Sequence, residues 1–157
     1  MAPRVQIQIV AVGRLRAPHD AAAAEYEGRI AKHVGFRLDE VSVAPTSTGD
    51  ATAQRTEADQ LRTKLVDGAR IVAVDPTGRV PKSSPAFGSW LQRQIETGRP
   101  VSFLIGGPLG LDRALVSDAD ETLSLGPLTL PHQLARVVLA EQIYRALATA
   151  AGHPYAR

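Results

Sequence analysis

The sequence predicts an α/β fold built on a largely parallel sheet that is flanked by helices. Short apolar runs with the period of a strand alternate with longer segments of helical period five to six times along the chain, which is typical of such a sheet. The length of 157 residues suits one domain, and the 44% of hydrophobic residues suffice for a core. The sequence has no internal repeat and no low-complexity linker. We therefore expect residues 1–157 to form a single domain.

The first half of the chain is predicted to contain three strands and two helices. Alternating or β-branched runs indicate strands at residues 5–12, 37–43 and 70–74. Helical periodicity indicates helices at residues 21–32 and 51–66. Asp20 is a candidate N-cap for the first of these helices. Gly78 and Pro81, with Pro76 and Pro85 on either side, predict a loop at residues 77–84.

The second half is predicted to contain two helices and two short strands. A helix at residues 85–97 carries the only tryptophan, Trp90. The largely apolar run at residues 101–105 predicts a buried strand, and residues 121–125 predict a further short one. The longest helix is expected at residues 133–150.

Composition excludes several classes of site. Without cysteine the chain can form no disulfide, thiolate zinc site or cysteine nucleophile. The histidines are scattered, so we expect no metal site. No apolar run approaches the ~20 residues that span a bilayer, and no signal peptide opens the sequence, so we expect a soluble, cytoplasmic protein. Of the 18 basic residues 15 are arginines, which favours a phosphate or nucleic-acid partner or else reflects a GC-rich genome.

The first candidate site is the segment IGGPLG at residues 105–110, which follows the predicted buried strand. Open α/β sheets bind ligands at the carboxyl ends of their strands, where glycines let the backbone approach a ligand closely. The pattern is neither GxGxxG nor a Walker loop. A tight strand-to-helix turn is the alternative interpretation.

The second candidate site is the segment LSLGPLTLPH at residues 123–132. Two prolines and a glycine exclude regular structure, yet four leucines make the segment too apolar for an ordinary surface loop. Such a loop could hold a purine ring by backbone hydrogen bonds while its leucines cover the ring faces. The alternative is a buried connection whose polar groups are satisfied by neighbouring loops.

The predicted long helix has apolar residues on too many sides for one core, which favours burial between subunits and hence a homodimer. Arg136 lies among valine and leucine side chains on this helix. We expect it to have an anionic partner, either a ligand near the helix N-terminus or an acidic residue of another helix. Glu141 and Arg145 are expected to form an ordinary surface pair.

The last candidate is the C-terminal sequence GHPYAR. It places His153, Tyr155 and Arg157 within five residues, a set that could stack on a base and hold a phosphate. A disordered tail is the alternative interpretation.

Taken together and in this order, several motifs resemble one family. They are VAVG at residues 10–13, Val74-Asp75, VSFLIGGPLG at residues 101–110, LTLPHQLARVVLAEQIYRA at residues 128–146, and HPY at residues 153–155. The whole chain, and residues 101–155 most strongly, resembles the bacterial SPOUT-superfamily enzymes that methylate N3 of a pseudouridine in 23S ribosomal RNA. No single motif is specific, but the combination at these spacings is.

The resemblance implies a fold, a cofactor and partners. The implied fold is an α/β domain with a C-terminal trefoil knot, which general topology rules would not suggest. The implied protein is a homodimer that binds S-adenosyl-L-methionine (SAM) and acts on 23S ribosomal RNA, without a metal. The positions that match the SAM-binding set are Val74, Gly106, Leu125, Gly126, Pro127, Leu128, Thr129 and Leu130. The family's tail contributes to its active site, which assigns catalytic roles to His153, Tyr155 and Arg157.

The sequence departs from the family pattern at a few positions. Ala156 occupies a place where a histidine is common, which puts the chemical contribution of the tail in doubt. Val74 replaces a frequent leucine, and Pro108-Leu109 replaces a commoner proline followed by an acidic residue. These last changes scarcely affect the expectation that SAM binds.

The implied reaction removes the N3 proton, so a proton acceptor is needed. His153 is the only tail residue with a suitable ordinary pKa; His132 lies in the apolar loop and could instead be structural. Two other functions stay open. One is a ribosome-binding SPOUT protein without turnover, and the other is a SPOUT methyltransferase that acts on tRNA.

Overall fold

The computed structural model describes residues 4–156 and contains a five-stranded parallel sheet with the strand order β2-β1-β4-β3-β5. The strands are β1 (Ile7–Val12), β2 (Phe36–Val41), β3 (Arg70–Arg79), β4 (Val101–Ile105) and β5 (Glu121–Leu123). The helices are α1 (His19–Ala31), α2 (Asp50–Lys64), α3 (Ser84–Glu96), α4 (Arg113–Asp118) and α5 (His132–Ala150). A 3-10 turn (Pro154–Ala156) follows α5. The predicted α/β class is confirmed.

The sheet forms the middle of three layers. Every residue of β1 is buried, and its side chains alternate between two cores. Ile7 and Ile9 join a core with α1, α3 and α5, whereas Val10 and Val12 join a second core with α2 and α4. A parallel strand covered on both faces is typically apolar. The one polar residue of β1, Gln8, is buried, donates to Asp39 at 2.7 Å and accepts from the Ser102 hydroxyl at 2.7 Å.

Three predictions of local structure were wrong. Asp20 is not the N-cap of α1, which begins at His19 after Pro18 and has no side-chain cap. The segment predicted as a loop from residue 77 starts with the end of β3, because Arg79 pairs with Leu123 of β5 across an irregularity in the register. Helix α4 was not predicted at all, although Asp112 caps it by accepting a hydrogen bond from the Leu115 N–H at 3.2 Å.

Helix α5 packs between α1 and α3 on one face of the sheet. Its apolar residues Leu139, Ile143 and Tyr144 are buried within the chain itself. Packing inside one protomer therefore accounts for most of the apolar surface of α5. This helix alone gives less support for a dimer than the sequence predicted. Leu134 stays exposed.

Arg136 is buried on α5, with 4% of its surface exposed. Its Nη1 donates to Glu40 of β2 at 2.6 Å, and its Nη2 lies 3.6 Å from Glu27 of α1. The expectation of an acidic partner from another helix is thus confirmed. The guanidinium joins α5 to two neighbouring elements, so its contacts in this chain are structural.

No helix within residues 4–156 is long and apolar enough to cross a membrane.

Candidate active site

A cleft of about 670 Å³ opens at the carboxyl ends of β4 and β5 and beside residues 74–76 of β3, where the loops that follow β4 and β5 meet the start of α5. Parallel α/β sheets bind their ligands at this end. Seven of the eight predicted SAM-binding residues line the cleft: Val74, Gly106, Leu125, Gly126, Leu128, Thr129 and Leu130. The eighth, Pro127, lies in the same loop but does not line the wall. Residues from three distant segments of the sequence therefore meet at one place.

The glycine-rich loop after β4 forms one wall of this cleft and folds back on itself. The Gly110 N–H donates to the Gly107 carbonyl at 3.0 Å, and Gln54 of α2 donates to the Leu109 carbonyl at 2.7 Å. A Cβ on Gly106 would lie 2.6 Å from the backbone carbon of Gly110. The tight-turn interpretation thus explains Gly106 directly: its missing side chain makes room for the loop's own backbone.

The apolar loop after β5 forms the opposite wall. The Ser124 hydroxyl donates to the Gly126 carbonyl at 2.9 Å, and Gly126 has a φ of +142°, which favours glycine. Within residues 4–156, no backbone–backbone hydrogen bond outside regular elements involves residues 125–130. The Gly126 N–H and C=O both bond to the Ser124 hydroxyl, and Pro127 has no N–H. The other backbone groups of this loop therefore remain available to a ligand, as the second sequence interpretation required.

Asp75 was not predicted as a site residue, although it is a buried residue of β3 and lines the cleft. Its carboxylate accepts hydrogen bonds from Arg113 at 2.5 and 3.1 Å, from the Thr77 N–H at 3.1 Å and from the Thr77 hydroxyl. The Arg113 guanidinium, followed by Thr77, lowers the pKa of Asp75 to about 2. Arg113 also donates to the Leu111 carbonyl at 2.8 Å, so the pair ties the end of β3 to the loop after β4.

His132 is the first residue of α5, and its half-buried side chain lines the cleft. Burial lowers the pKa of this imidazole below its ordinary value. Asp75 and His132 are the two ionisable residues among those that line the cleft. Among residues 4–156, no group of three His, Cys, Asp or Glu side chains is placed to hold a metal ion.

Within the described residues, the C-terminal tail docks on α5 and does not line the cleft of its own chain. The Tyr155 hydroxyl donates to Glu141 at 3.1 Å, and its ring packs edge-on against Tyr144 at 4.7 Å between centroids. Burial, assisted by hydrogen bonds to Tyr26 and Glu141, raises the pKa of Tyr155. The interpretation of a disordered tail is therefore wrong for Tyr155.

The other two tail residues proposed as catalytic are His153 and Arg157. His153 is exposed, and its Nδ1 accepts the Tyr155 N–H at 3.2 Å. Arg157 lies outside the described residues. Glu141 is nine residues along α5 from His132, about 13 Å at the rise of a helix. Glu141 and Arg145 form the expected pair at 2.6 Å, and because Arg145 also covers the Tyr155 ring at 5.4 Å, this pair anchors the tail.

The similarity of this chain to known proteins shows its family. Residues 5–156 match a family model described as "Predicted SPOUT methyltransferase". The chain belongs to the SPOUT methyltransferase family. The resemblance found in the sequence motifs is thereby confirmed over essentially the whole chain.

Two relatives of this SPOUT chain carry the name "Ribosomal RNA large subunit methyltransferase H". The protein from Acidiphilium cryptum is 43% identical and the alignment covers 99% of this chain and 96% of the relative. The protein from Gluconacetobacter diazotrophicus is 44% identical over 96% of this chain and 97% of the relative. The chain and these relatives thus correspond over nearly their full lengths.

Solved structures support the SPOUT fold. A probable methyltransferase from Bordetella pertussis Tohama I has a TM-score of 0.56 at 15% identity, covering 91% of this chain and 95% of that one. A putative methylase family protein from Neisseria gonorrhoeae has a TM-score of 0.55 at 15% identity, covering 90% and 82%. At this level of identity the likeness concerns the fold only. The trefoil knot stays a prediction.

Proposed function

We propose that this SPOUT-family chain is a SAM-dependent methyltransferase that methylates N3 of a pseudouridine in 23S ribosomal RNA, in the assembled ribosome. The observation that carries this proposal is the identity of 43–44%, over nearly the full length, to proteins named as methyltransferases of the large ribosomal subunit RNA. The pseudouridine and its N3 atom come from the resemblance of the motifs, and the cellular site of action would be the cytoplasm.

The chemistry of the cleft fits SAM. Its volume is within the usual range of small-molecule sites, roughly 300–1,000 Å³. Leu125, Leu128 and Leu130 can cover the faces of an adenine ring. The backbone groups of Leu125 and of residues 128–130, which have no hydrogen-bond partner among residues 4–156, can bind its edge. Gly106 and Val74 form the opposite wall. SAM would supply the methyl group on a sulfonium, and the residues of this chain would bind and orient it against the target base.

We further propose that the protein works as a homodimer in which the tail of one protomer completes the cleft of the other. The support is geometric, because His153 and Tyr155 lie on the flank of α5 while the cleft lies at its start. Three exposed apolar side chains near the cleft, Val80, Leu128 and Leu134, could be covered by a second copy. Tyr155 would contact the target base, and Arg157 a phosphate of the RNA.

The proposal is tested by the choice of substrate. Purified protein and methyl-labelled SAM are incubated with ribosomes that lack the modification, with free 23S RNA and with tRNA. We expect label in the ribosomes, and mass spectrometry of digested RNA to identify a pseudouridine methylated at N3. Label in tRNA would instead support the tRNA-modifying alternative. Ribosome binding without any label would support a binding protein that has lost turnover, in line with Ala156.

A further inference from the structure

Methylation at N3 needs a group that removes a proton. In the proposed reaction the N3–methyl bond forms as the carbon–sulfur bond breaks, and the electron pair of that bond stays on sulfur, which becomes a neutral thioether. The N3–H proton must leave at the same time, so that the methylated base is neutral. A side chain beside the methyl donor is best placed to accept this proton.

Two ionisable side chains line the cleft, and Asp75 is a poor candidate. Its carboxylate accepts two hydrogen bonds from Arg113 and two from Thr77. These bonds stabilise the charged form and occupy its oxygens. Taking a proton would break the contact that joins β3 to the loop after β4, so Asp75 is better suited to hold the cleft in shape.

His132 has the opposite surroundings. No hydrogen bond of its imidazole to another residue is recorded within residues 4–156, and the ring lines the cleft wall. It begins α5, where the helix dipole disfavours a positive charge. Partial burial acts in the same direction and lowers its pKa, which favours the neutral ring that can accept a proton.

The charged groups around His132 are compensated or distant. Asp75 in the same cleft is paired with Arg113. Arg136, one turn further along α5, is paired with Glu27 and Glu40. The loop after β1 reaches α5 through the Arg16 N–H, which donates to Gln133 at 3.0 Å, while the Arg16 side chain is exposed.

From this arrangement we infer that His132 is the residue that accepts the N3 proton during methyl transfer. The inference rests on the proposed function and adds a catalytic residue to it. It assigns the proton to a side chain of the same protomer that binds the methyl donor. His153, the candidate from the tail, would then orient the base.

The first test compares His132→Gln with His33→Gln, whose histidine is exposed at the end of α1, away from the cleft. We expect His132→Gln to reduce kcat on ribosomes by about 100-fold or more, the usual contribution of a general base. The wild-type rate should fall as the pH drops below 6.5, which gives the pH–rate profile an acidic limb. This acidic limb should be absent from the residual rate of His132→Gln. Calorimetry should find SAM affinity changed by less than about threefold, because the effect is on the chemical step. His33→Gln should behave as wild type.

The second test needs no turnover. Proton NMR of the ligand-free protein, with the His132 signals assigned by their loss in His132→Gln, should give a titration midpoint below 6.5. A midpoint above about 7 would overturn the inference, since the ring would then be mostly charged at neutral pH. A His132→Gln enzyme with normal kcat and an unchanged pH limb would also overturn it, especially if His153→Gln removed that limb. Failure of the wild-type protein to methylate ribosomes at any pH would contradict the proposed function itself and leave the NMR result interpretable.

Discussion

Gly106 is the residue at which the shape of the cleft depends most directly on a missing side chain. A Cβ there would lie 2.6 Å from the Gly110 carbon and 2.8 Å from the Leu111 nitrogen, both backbone atoms that cannot rotate away. We therefore predict that Gly106→Ala opens the loop after β4 and weakens SAM binding at least tenfold, and that Gly106→Val weakens it further. A tenfold loss corresponds to about 1.4 kcal/mol. Isothermal calorimetry measures it.

Gly28→Ala is the matched control. Gly28 lies in α1, and a Cβ there would meet nothing within 4 Å, so the substitution should leave SAM affinity unchanged and stabilise the helix slightly. If Gly106→Ala and Gly28→Ala bound SAM equally well, the cleft would not be the SAM site.

We expect Asp75 to make the free energy of unfolding depend on pH. Its pKa is lowered to about 2 in the folded protein, whereas an unfolded aspartate titrates near ~3.9. The stabilisation is thus fully present above about pH 4 and is lost as the pH falls through about 2. Because the Arg113 side chain is 60% exposed, screening reduces the effect, and we expect Asp75→Asn to lower the free energy of unfolding by about 1–2 kcal/mol at pH 7.

Urea unfolding at pH 7 and at pH 3 measures this difference, which should shrink at the lower pH. Asp67→Asn is the control, because Asp67 is exposed and has no ion pair recorded among residues 4–156. An Asp75→Asn deficit that stayed constant with pH would mean that the charge of Asp75 is not what stabilises the fold.

At the scale of elements, Arg136 holds α5 against α1 and β2. Its side chain is 5% exposed and that of Glu27 is 10% exposed. Arg136→Met would leave two carboxylates close together with no counter-charge, one of them buried. Breaking such a buried pair costs about 3–5 kcal/mol, and we predict a loss of stability of that size at pH 7.

The loss should lessen as the pH falls, because Glu27, whose pKa burial already raises, can then become neutral. Arg62→Met removes an exposed pair to Asp59 and Asp118, both at 3.4 Å, and should cost less than about 1 kcal/mol. Chemical denaturation measures both variants. Equal effects would contradict a structural role for Arg136. A defect only in dimerisation or activity would place its role in those functions instead.

An element can be predicted from the sequence when the residues that determine it lie close together along the chain. The strand at residues 101–105 is correct to the residue, because an apolar run lies between Pro100 and Gly106. The end of β3 was missed because Gly78 and two prolines signal a loop, whereas in the fold Gly78 packs onto β5: a Cβ there would lie 2.6 Å from the Thr122 carbonyl carbon. That contact joins residues 44 positions apart and leaves no local pattern.

The same distinction applies to the site. The glycine-rich and apolar loops carry their own composition signals, and the structure brings both to one cleft. The pairing of Asp75 with Arg113, 38 residues further along the chain, carried no such signal. The contacts of Tyr155 with Glu141 and Tyr144 likewise carried no local signal, because they form only when the segment after α5 folds back onto that helix.

At the scale of the whole molecule, the tail and the dimer are predicted to act together. Deleting residues 153–157 should leave a folded, dimeric protein with normal SAM affinity, because the described residues among them, 153–156, do not line the cleft of their own chain. The rate on ribosomes should fall by far more than tenfold, since stacking and phosphate contacts contribute roughly 1–3 kcal/mol each. Light scattering should give twice the chain mass of 16.7 kDa. A monomer at micromolar concentration, or a near-normal rate after truncation, would contradict the shared active site.

The central claim is that this chain methylates a pseudouridine of the large-subunit ribosomal RNA in the cell. It is tested most directly by mass spectrometry of ribosomal RNA from a strain that lacks the gene. We predict that one pseudouridine in the 23S RNA loses a single methyl group at N3, and that the wild-type gene restores it. A 23S RNA whose methylated pseudouridines are unchanged in the deletion strain would contradict the account.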